Sequence, residues 1–155
     1  MAASAADIKQ LRKKTGAGVM DCKKALEEAK GDLKKAEEIV LARGLAKAEK
    51  KADRETKEGY IASYVHTNGK IAALVELLCE TDFVARNEEF IKMSQEVAMQ
   101  VVAMKPETVE ELLSQEYLRN PKLTIEQLVK QLSGKIGEHF VISRFVRYEV
   151  GESAE

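Results

Sequence analysis

The stretch that decides the fold runs Tyr60-Ile-Ala-Ser-Tyr-Val-His66, Thr67, Asn68-Gly69, Lys70, Ile71-Ala-Ala-Leu-Val-Glu-Leu-Leu-Cys79. Two runs rich in β-branched and aromatic or aliphatic residues flank an Asn-Gly pair, and both members of that pair tolerate positive φ. The segment therefore reads as a β-hairpin with strands over 60–66 and 71–79. Successive side chains of a strand point to opposite faces. The returning strand sets Ile71, Ala73, Val75, Leu77 and Cys79 on one face and Ala72, Leu74, Glu76 and Leu78 on the other. Both faces are apolar, so this strand expects cover on both sides.

Downstream, the period changes from two to three and four. Asn87 is positioned to cap a long helix whose buried stripe is Phe90, Met93, Val97, Val101 and Met104, widened by Ile91, Ala98 and Val102. Pro106 ends it and opens a short helix over 107–117, and Asn120-Pro121 reads as a loop. Thr124 and Gln127 form a capping box, with Leu123 and Leu128 as its hydrophobic staple. The helix they start is lined by Ile125, Leu128, Val129, Leu132 and Ile136, and Gly134 and Gly137 loosen its end. A last strand covers 139–150. Strict alternation puts Phe140, Ile142, Arg144, Val146, Tyr148 and Val150 on one face and Val141, Phe145 and Arg147 on the other. The expected core is a three-stranded antiparallel sheet with helices on one face. One helical layer leaves the second apolar face bare, and a twofold partner stacking sheet on sheet would cover it.

Upstream, three short helices fill residues 5–43. The first carries Ile8 and Leu11 and ends at Thr15-Gly16-Ala17-Gly18. The second spaces Val19, Cys22, Leu26 and Ala29 along one stripe and stops at Gly31. Asp32 caps the third, with stripe Leu33, Ala36, Ile39 and Val40 and with Gly44 as its C-terminal cap. Basic and acidic side chains alternate over 46–58, as on a solvated helical linker. The α+β chain thus divides into a three-helix domain (1–45), a charged helical linker (46–58) and a core domain (59–155).

Composition removes several function classes. The chain has 155 residues with 25 basic and 26 acidic side chains, so it carries no cationic excess to neutralise phosphates, and direct nucleic-acid binding is not expected. It has no Trp, which disfavours base-stacking platforms. No apolar run is long enough to span a bilayer, and the N-terminus lacks the pattern of a secretory signal, so no membrane partner is expected and the cytoplasm is the expected compartment. Cys22 and Cys79 have neither metal-site nor disulfide-framework spacing and read as small apolar residues. His66 and His139 lack a third ligand at zinc spacing. Gly16-Ala17-Gly18 is too short for a phosphate loop. No nucleophile elbow occurs, and the acidic pairs lie on helix surfaces. The chain reads as neither an enzyme nor a holder of metal or cofactor. Contact with another protein remains.

One segment is built for contact. Thr81-Asp82-Phe83-Val84 joins the apolar strand to the long helix, with Glu80 before it and Arg86-Asn87-Glu88-Glu89 after it. An aromatic ring in so polar a junction is badly placed for a core, and burying it in a partner's pocket supplies about 2 kcal/mol.

Two long motifs, in order, carry a family resemblance. Leu11-Arg-Lys-Lys-Thr-Gly-Ala-Gly-Val-Met-Asp-Cys-Lys-Lys-Ala-Leu26 and Glu80-Thr-Asp-Phe-Val-Ala-Arg-Asn-Glu-Glu-Phe90, with the ending Phe145-Val-Arg-Tyr-Glu-Val-Gly151, resemble the elongation factor Ts family. Its members are guanine nucleotide exchange factors of elongation factor Tu. The resemblance implies a ubiquitin-associated-like (UBA-like) three-helix domain and a single core half, as in short members, and hence a homodimer. It implies that Thr81, Asp82, Phe83 and Val84 enter the GTP-binding domain of elongation factor Tu, GDP-bound or nucleotide-free, and disturb the partner's Mg²⁺ site. It further implies that Arg12, Val19, Met20 and Lys23 contact the same domain. The competing readings are a peptide-binding adaptor that works through residues 1–45 alone, a nucleic-acid-binding accessory of translation, and an enzyme of a kind the motifs do not mark.

Overall fold

A computed structural model of the chain describes residues 2–152; residues 1 and 153–155, the outermost positions of the two expected domains, lie outside the described residues. The chain separates into two compact units. One takes the chain up to Ala52 together with Lys130–Gly137, and the other takes Asp53–Val129 and the chain from Glu138 onward.

The first unit is helical. Helices α1 (Ala5–Thr15), α2 (Val19–Glu28) and α3 (Leu33–Glu49) pack around Leu11, Cys22, Ala25, Leu26, Ala29, Ala36 and Val40. Their ends follow local chemistry. Ser4 Oγ accepts from the Asp7 amide at 3.1 Å, and Asp32 Oδ1 accepts from the Lys34 and Lys35 amides at 3.0 and 3.1 Å. Gly16, at φ +70°, closes α1 by donating to the Arg12 carbonyl.

Three expectations fail in this unit. Val19 stands at the exposed start of α2 and is 48% accessible, so the stripe begins at Cys22. Gly44 does not end α3, which continues to Glu49. Its partner in the crossing is Gly134, in the helix α7 (Ile125–Ile136), where an added Cβ would lie 2.4 Å from the Gly44 carbonyl oxygen. Gly134 therefore permits backbone-to-backbone approach of two helices, rather than loosening a helix end.

The second unit holds the sheet. Strands β1 (Glu58–Val65), β2 (Ile71–Cys79) and β5 (Val141–Glu149) pair antiparallel in the order β1-β2-β5. The hairpin loop is wider than a two-residue turn. Only Gly69 takes positive φ (69°), while the His66 amide bonds the Ile71 carbonyl and Asn68 Oδ1 accepts from Lys70. Helix α5 (Glu88–Met104) packs on β1 and β2 and buries Ala62, Ala73, Val75, Leu77 and Cys79 under Phe90, Met93, Val97 and Val101. Phe90 and Phe140 meet edge to face at 4.9 Å. Met104, expected in that stripe, is 45% accessible because α5 ends there at Lys105, φ +49°.

The opposite face of the sheet is open. Ile61, Val65, Leu74, Val146 and Tyr148 are all exposed on it. The membership of β5 in this face corrects the strict-alternation reading. Glu76 pairs with Arg144 but Leu77 pairs with Ile142, so Ser143 is an extra residue in a β-bulge. Before the bulge, Phe140 and Ile142 point into the core, while after it Arg144, Val146 and Tyr148 point outward. The Ser143 hydroxyl donates to Glu76 Oε1 at 2.6 Å and Arg144 reaches Oε2 at 3.3 Å, which holds the Glu76 carboxyl below its ordinary range.

Between α5 and α7, the short helix is confined to α6 (Val109–Ser114). The chain then forms a small hairpin, β3 (Glu116–Tyr117) with β4 (Asn120–Thr124), where a helix end and a loop were expected. Side chains from α5 fasten it. Gln100 bonds the Glu116 carbonyl and the Leu118 amide, and Tyr117 donates to Glu96. The Thr124–Gln127 capping box starts α7 as read from the sequence, with reciprocal bonds of 3.0 and 3.1 Å.

Candidate partner-binding site

The strand β2 ends at Cys79, and the chain turns into the four-residue helix α4 (Asp82–Ala85). Thr81 is its N-cap, with Oγ1 accepting from the Val84 amide at 3.3 Å. The same hydroxyl donates to Glu138 Oε2 at 2.7 Å. Glu138 Oε1 accepts from the Glu80 and Thr81 amides at 3.0 and 3.1 Å. In return, Glu80 Oε1 accepts from the His139 amide at 2.8 Å and meets Arg54 at 3.5 Å. Below this network, the Cys79 thiol is buried and donates to the Thr81 carbonyl, and burial, with the Glu138 charge, pushes it up to about 11. A thiol so placed is inert at neutral pH.

Phe83 projects from this support and is 77% accessible. The Arg86 guanidinium sits 5.8 Å from the ring centroid and bonds Asp82 at 3.2 Å, so ring, cation and carboxylate form one exposed set. Val84 is half-buried beside them. The structure thus brings Thr81, Asp82, Phe83 and Val84 together, with different surroundings: the Thr81 side chain is spent on the local frame, while Phe83 and Asp82 face outward. Sequence reasoning missed Glu138, Glu80 and Arg54. No local pattern marks Glu138, because its partners lie more than fifty residues earlier in the chain.

The four expected contact residues of the helical unit lie at the α1–α2 junction. Arg12 Nε bonds the Ala17 carbonyl at 3.4 Å and steadies the loop. An open groove of about 610 Å³ is lined by Arg12 and Val19 together with Ile8 and Ala17. Met20, 60% accessible, and Lys23 are exposed on α2 without lining that groove. Among the described residues, no three His, Cys, Asp or Glu side chains gather as a metal site, and no helix is long and apolar enough to cross a membrane.

The profile of the family described as Elongation factor TS matches residues 80–155, beginning at the Glu80 of this network. The chain is 51% identical over 154 residues to elongation factor Ts of Aquifex aeolicus, covering 96% of this chain and 53% of that one. It is 43% identical over 197 residues to elongation factor Ts of Fervidobacterium nodosum, covering 98% of this chain and 100% of that one. To elongation factor Ts of Thermotoga maritima it is 42% identical over 191 residues, covering 96% of each. The chain therefore spans about half the length of the Aquifex relative and nearly all of the other two. These matches place it among the translation elongation factors, with the motifs of both units inside the aligned length. Within that class it belongs to the elongation factor Ts family.

Proposed function

We propose that this chain is the guanine nucleotide exchange factor of elongation factor Tu, a binding protein rather than an enzyme, working in the cytoplasm and without a cofactor of its own. The observation that carries the reading is Phe83, a phenyl ring 77% accessible on a helix already fixed in place. Thr81 to Val84 enter the GTP-binding domain of the partner. Phe83 wedges between packed elements there, and such elements respond by switching arrangement rather than yielding smoothly. The Mg²⁺ disturbed by that switch belongs to the partner. Arg12, Val19, Met20 and Lys23, on a UBA-like three-helix unit, hold the same domain.

The mechanism is linkage. A factor that weakens GDP binding is itself bound more weakly by the GDP form, in the same ratio. Releasing GDP a thousandfold faster lowers the barrier by about 4 kcal/mol. Burying the exposed part of Phe83 supplies about 2 kcal/mol, so the remainder falls to Asp82, Val84 and the helical unit. The bare sheet face of Ile61, Val65, Leu74, Val146 and Tyr148 is covered by a second copy of the chain, making a homodimer.

Stopped-flow release of a fluorescent GDP analogue from elongation factor Tu tests the reading. The wild-type chain accelerates release at catalytic amounts, and Phe83→Ala, folded as before, loses about thirtyfold of that acceleration. No acceleration by the wild type defeats the exchange reading, and equal rates for the two proteins remove Phe83 from it.

A further inference from the structure

We propose that Glu138 is the positioning residue for α4: with Glu80 it forms a reciprocal two-carboxylate clamp that sets Phe83 in its binding geometry before any partner arrives. The proposal rests on the exchange reading for its kinetic consequence, but the clamp itself is a property of the free chain.

The need for a clamp follows from the size of α4. A four-residue helix lies far below the length at which helices persist alone. Its packing on β1 and β2 is shallow, since none of its residues is fully buried and Val84 and Ala85 are only half-buried. What fixes its N-terminal end is polar. One carboxylate, Glu138, receives three donors: the amides of Glu80 and Thr81 on Oε1 and the Thr81 hydroxyl on Oε2. The other, Glu80, answers with a bond from the His139 amide. Residues 80–81 and 138–139 are thereby laced in both directions, just beyond the ends of two neighbouring strands. Bonds to an ionised acceptor are the stronger kind. Thr81 transmits the hold into the helix, because the hydroxyl that donates to Glu138 also accepts from the Val84 amide. Phe83 lies between those two bonded residues in sequence, and the Asp82–Arg86 pair trims its ring.

Loosening the clamp leaves the bound complex unchanged but reduces the fraction of free chains ready to bind. Apparent affinity falls by that fraction, while the rate at saturation stays. A residue that only supports global stability would move the unfolding temperature and neither kinetic constant, and one that acts on the partner during release would lower the saturated rate.

The chain contains no Trp, so Phe83→Trp installs a single fluorescent reporter on α4. Time-resolved anisotropy of that protein, alone in solution, is compared with the same protein carrying Glu138→Gln. The amide of Gln cannot accept the Thr81 hydroxyl bond on its nitrogen. The expected result is a faster and wider motion of the indole. In proteins that keep Phe83, Glu138→Gln raises the half-saturating concentration for GDP release about tenfold at unchanged saturated rate. In the Phe83→Trp protein alone in solution, Thr81→Val loosens the indole as Glu138→Gln does, and Thr81→Ser, which keeps the hydroxyl, retains the slower motion. Unchanged anisotropy with unchanged half-saturation overturns the proposal, as does a fall confined to the saturated rate. Failure of the wild type to accelerate release would defeat the exchange reading instead, and the anisotropy would still decide the clamp.

Discussion

Replacing Gly134 by alanine sets two effects of opposite sign against each other. Alanine is the better helix former by about 1 kcal/mol, so in a free helix the change would stabilise. Here the new Cβ would lie 2.4 Å from the Gly44 carbonyl oxygen and 3.0 Å from its carbon. A comfortable contact lies at roughly 3.5 Å, so the α3 and α7 backbones must part by about 1 Å. Neither backbone can rotate away as a side chain would, which puts the cost at the upper end of overpacking, about 3 kcal/mol. The net loss is about 2 kcal/mol. Gly44→Ala is the control. Its Cβ would meet nothing nearer than the Gln131 Cα at 3.9 Å, an ordinary contact, so propensity alone acts and the variant gains up to about 1 kcal/mol. Urea unfolding followed by far-ultraviolet circular dichroism reads both. The helical unit of Gly134→Ala should melt about 1 M earlier than wild type, and that of Gly44→Ala slightly later. A later midpoint for alanine at both positions would refute the close-crossing account.

Two further outcomes follow from the sheet. Val146→Asp places a charge on the bare face without disturbing the core, since Val146 is already 40% accessible. Light scattering should give twice 17.2 kDa for the wild type and 17.2 kDa for the variant, and a wild type at the single-chain mass would sink the homodimer. Ser143→Ala removes the main cause that holds Glu76 below its ordinary value of 4.5. A depressed carboxyl contributes stability that is present above its unfolded value and lost as pH falls through the folded one. The wild type should therefore exceed Ser143→Ala in unfolding free energy at pH 6–7, with the gap closing below about pH 4.5; a gap that widens in acid would reverse the assignment.

Local signals were readable from the residues alone. The β2 alternation, the Asn87 and Asp32 caps and the Thr124–Gln127 box each depend on neighbours within four positions, and each appears in the structure. The failures share a different cause. Gly44 looked like a cap because a helix-ending glycine and a helix-crossing glycine are identical in sequence, and only Gly134 distinguishes them. The β3–β4 hairpin is too short to have a periodicity and is held by Gln100 and Glu96 from an earlier helix. At the candidate site, Phe83 was legible because an aromatic residue among charges has no local reason to be there. Glu138 was not, because a single acid after a helix looks the same whether it is solvated or receives three bonds from a segment far back in the chain.

The extra residue at Ser143 has a consequence for what β5 can tolerate. Ahead of it the strand is written in one phase, with Phe140 and Ile142 for the interior; behind it the phase inverts, and Arg144, Val146 and Tyr148 belong to the exterior. One strand thus addresses two audiences, the core of its own chain and whatever meets the bare face. Substitutions on either side of the bulge act on one audience at a time. Deleting Ser143 itself would rejoin the two phases and keep both faces as they are, whereas deleting Phe145 would carry Val146 and Tyr148 inward and Arg147 outward, so beyond the bulge this strand should accept changes of letter far more readily than a change of length.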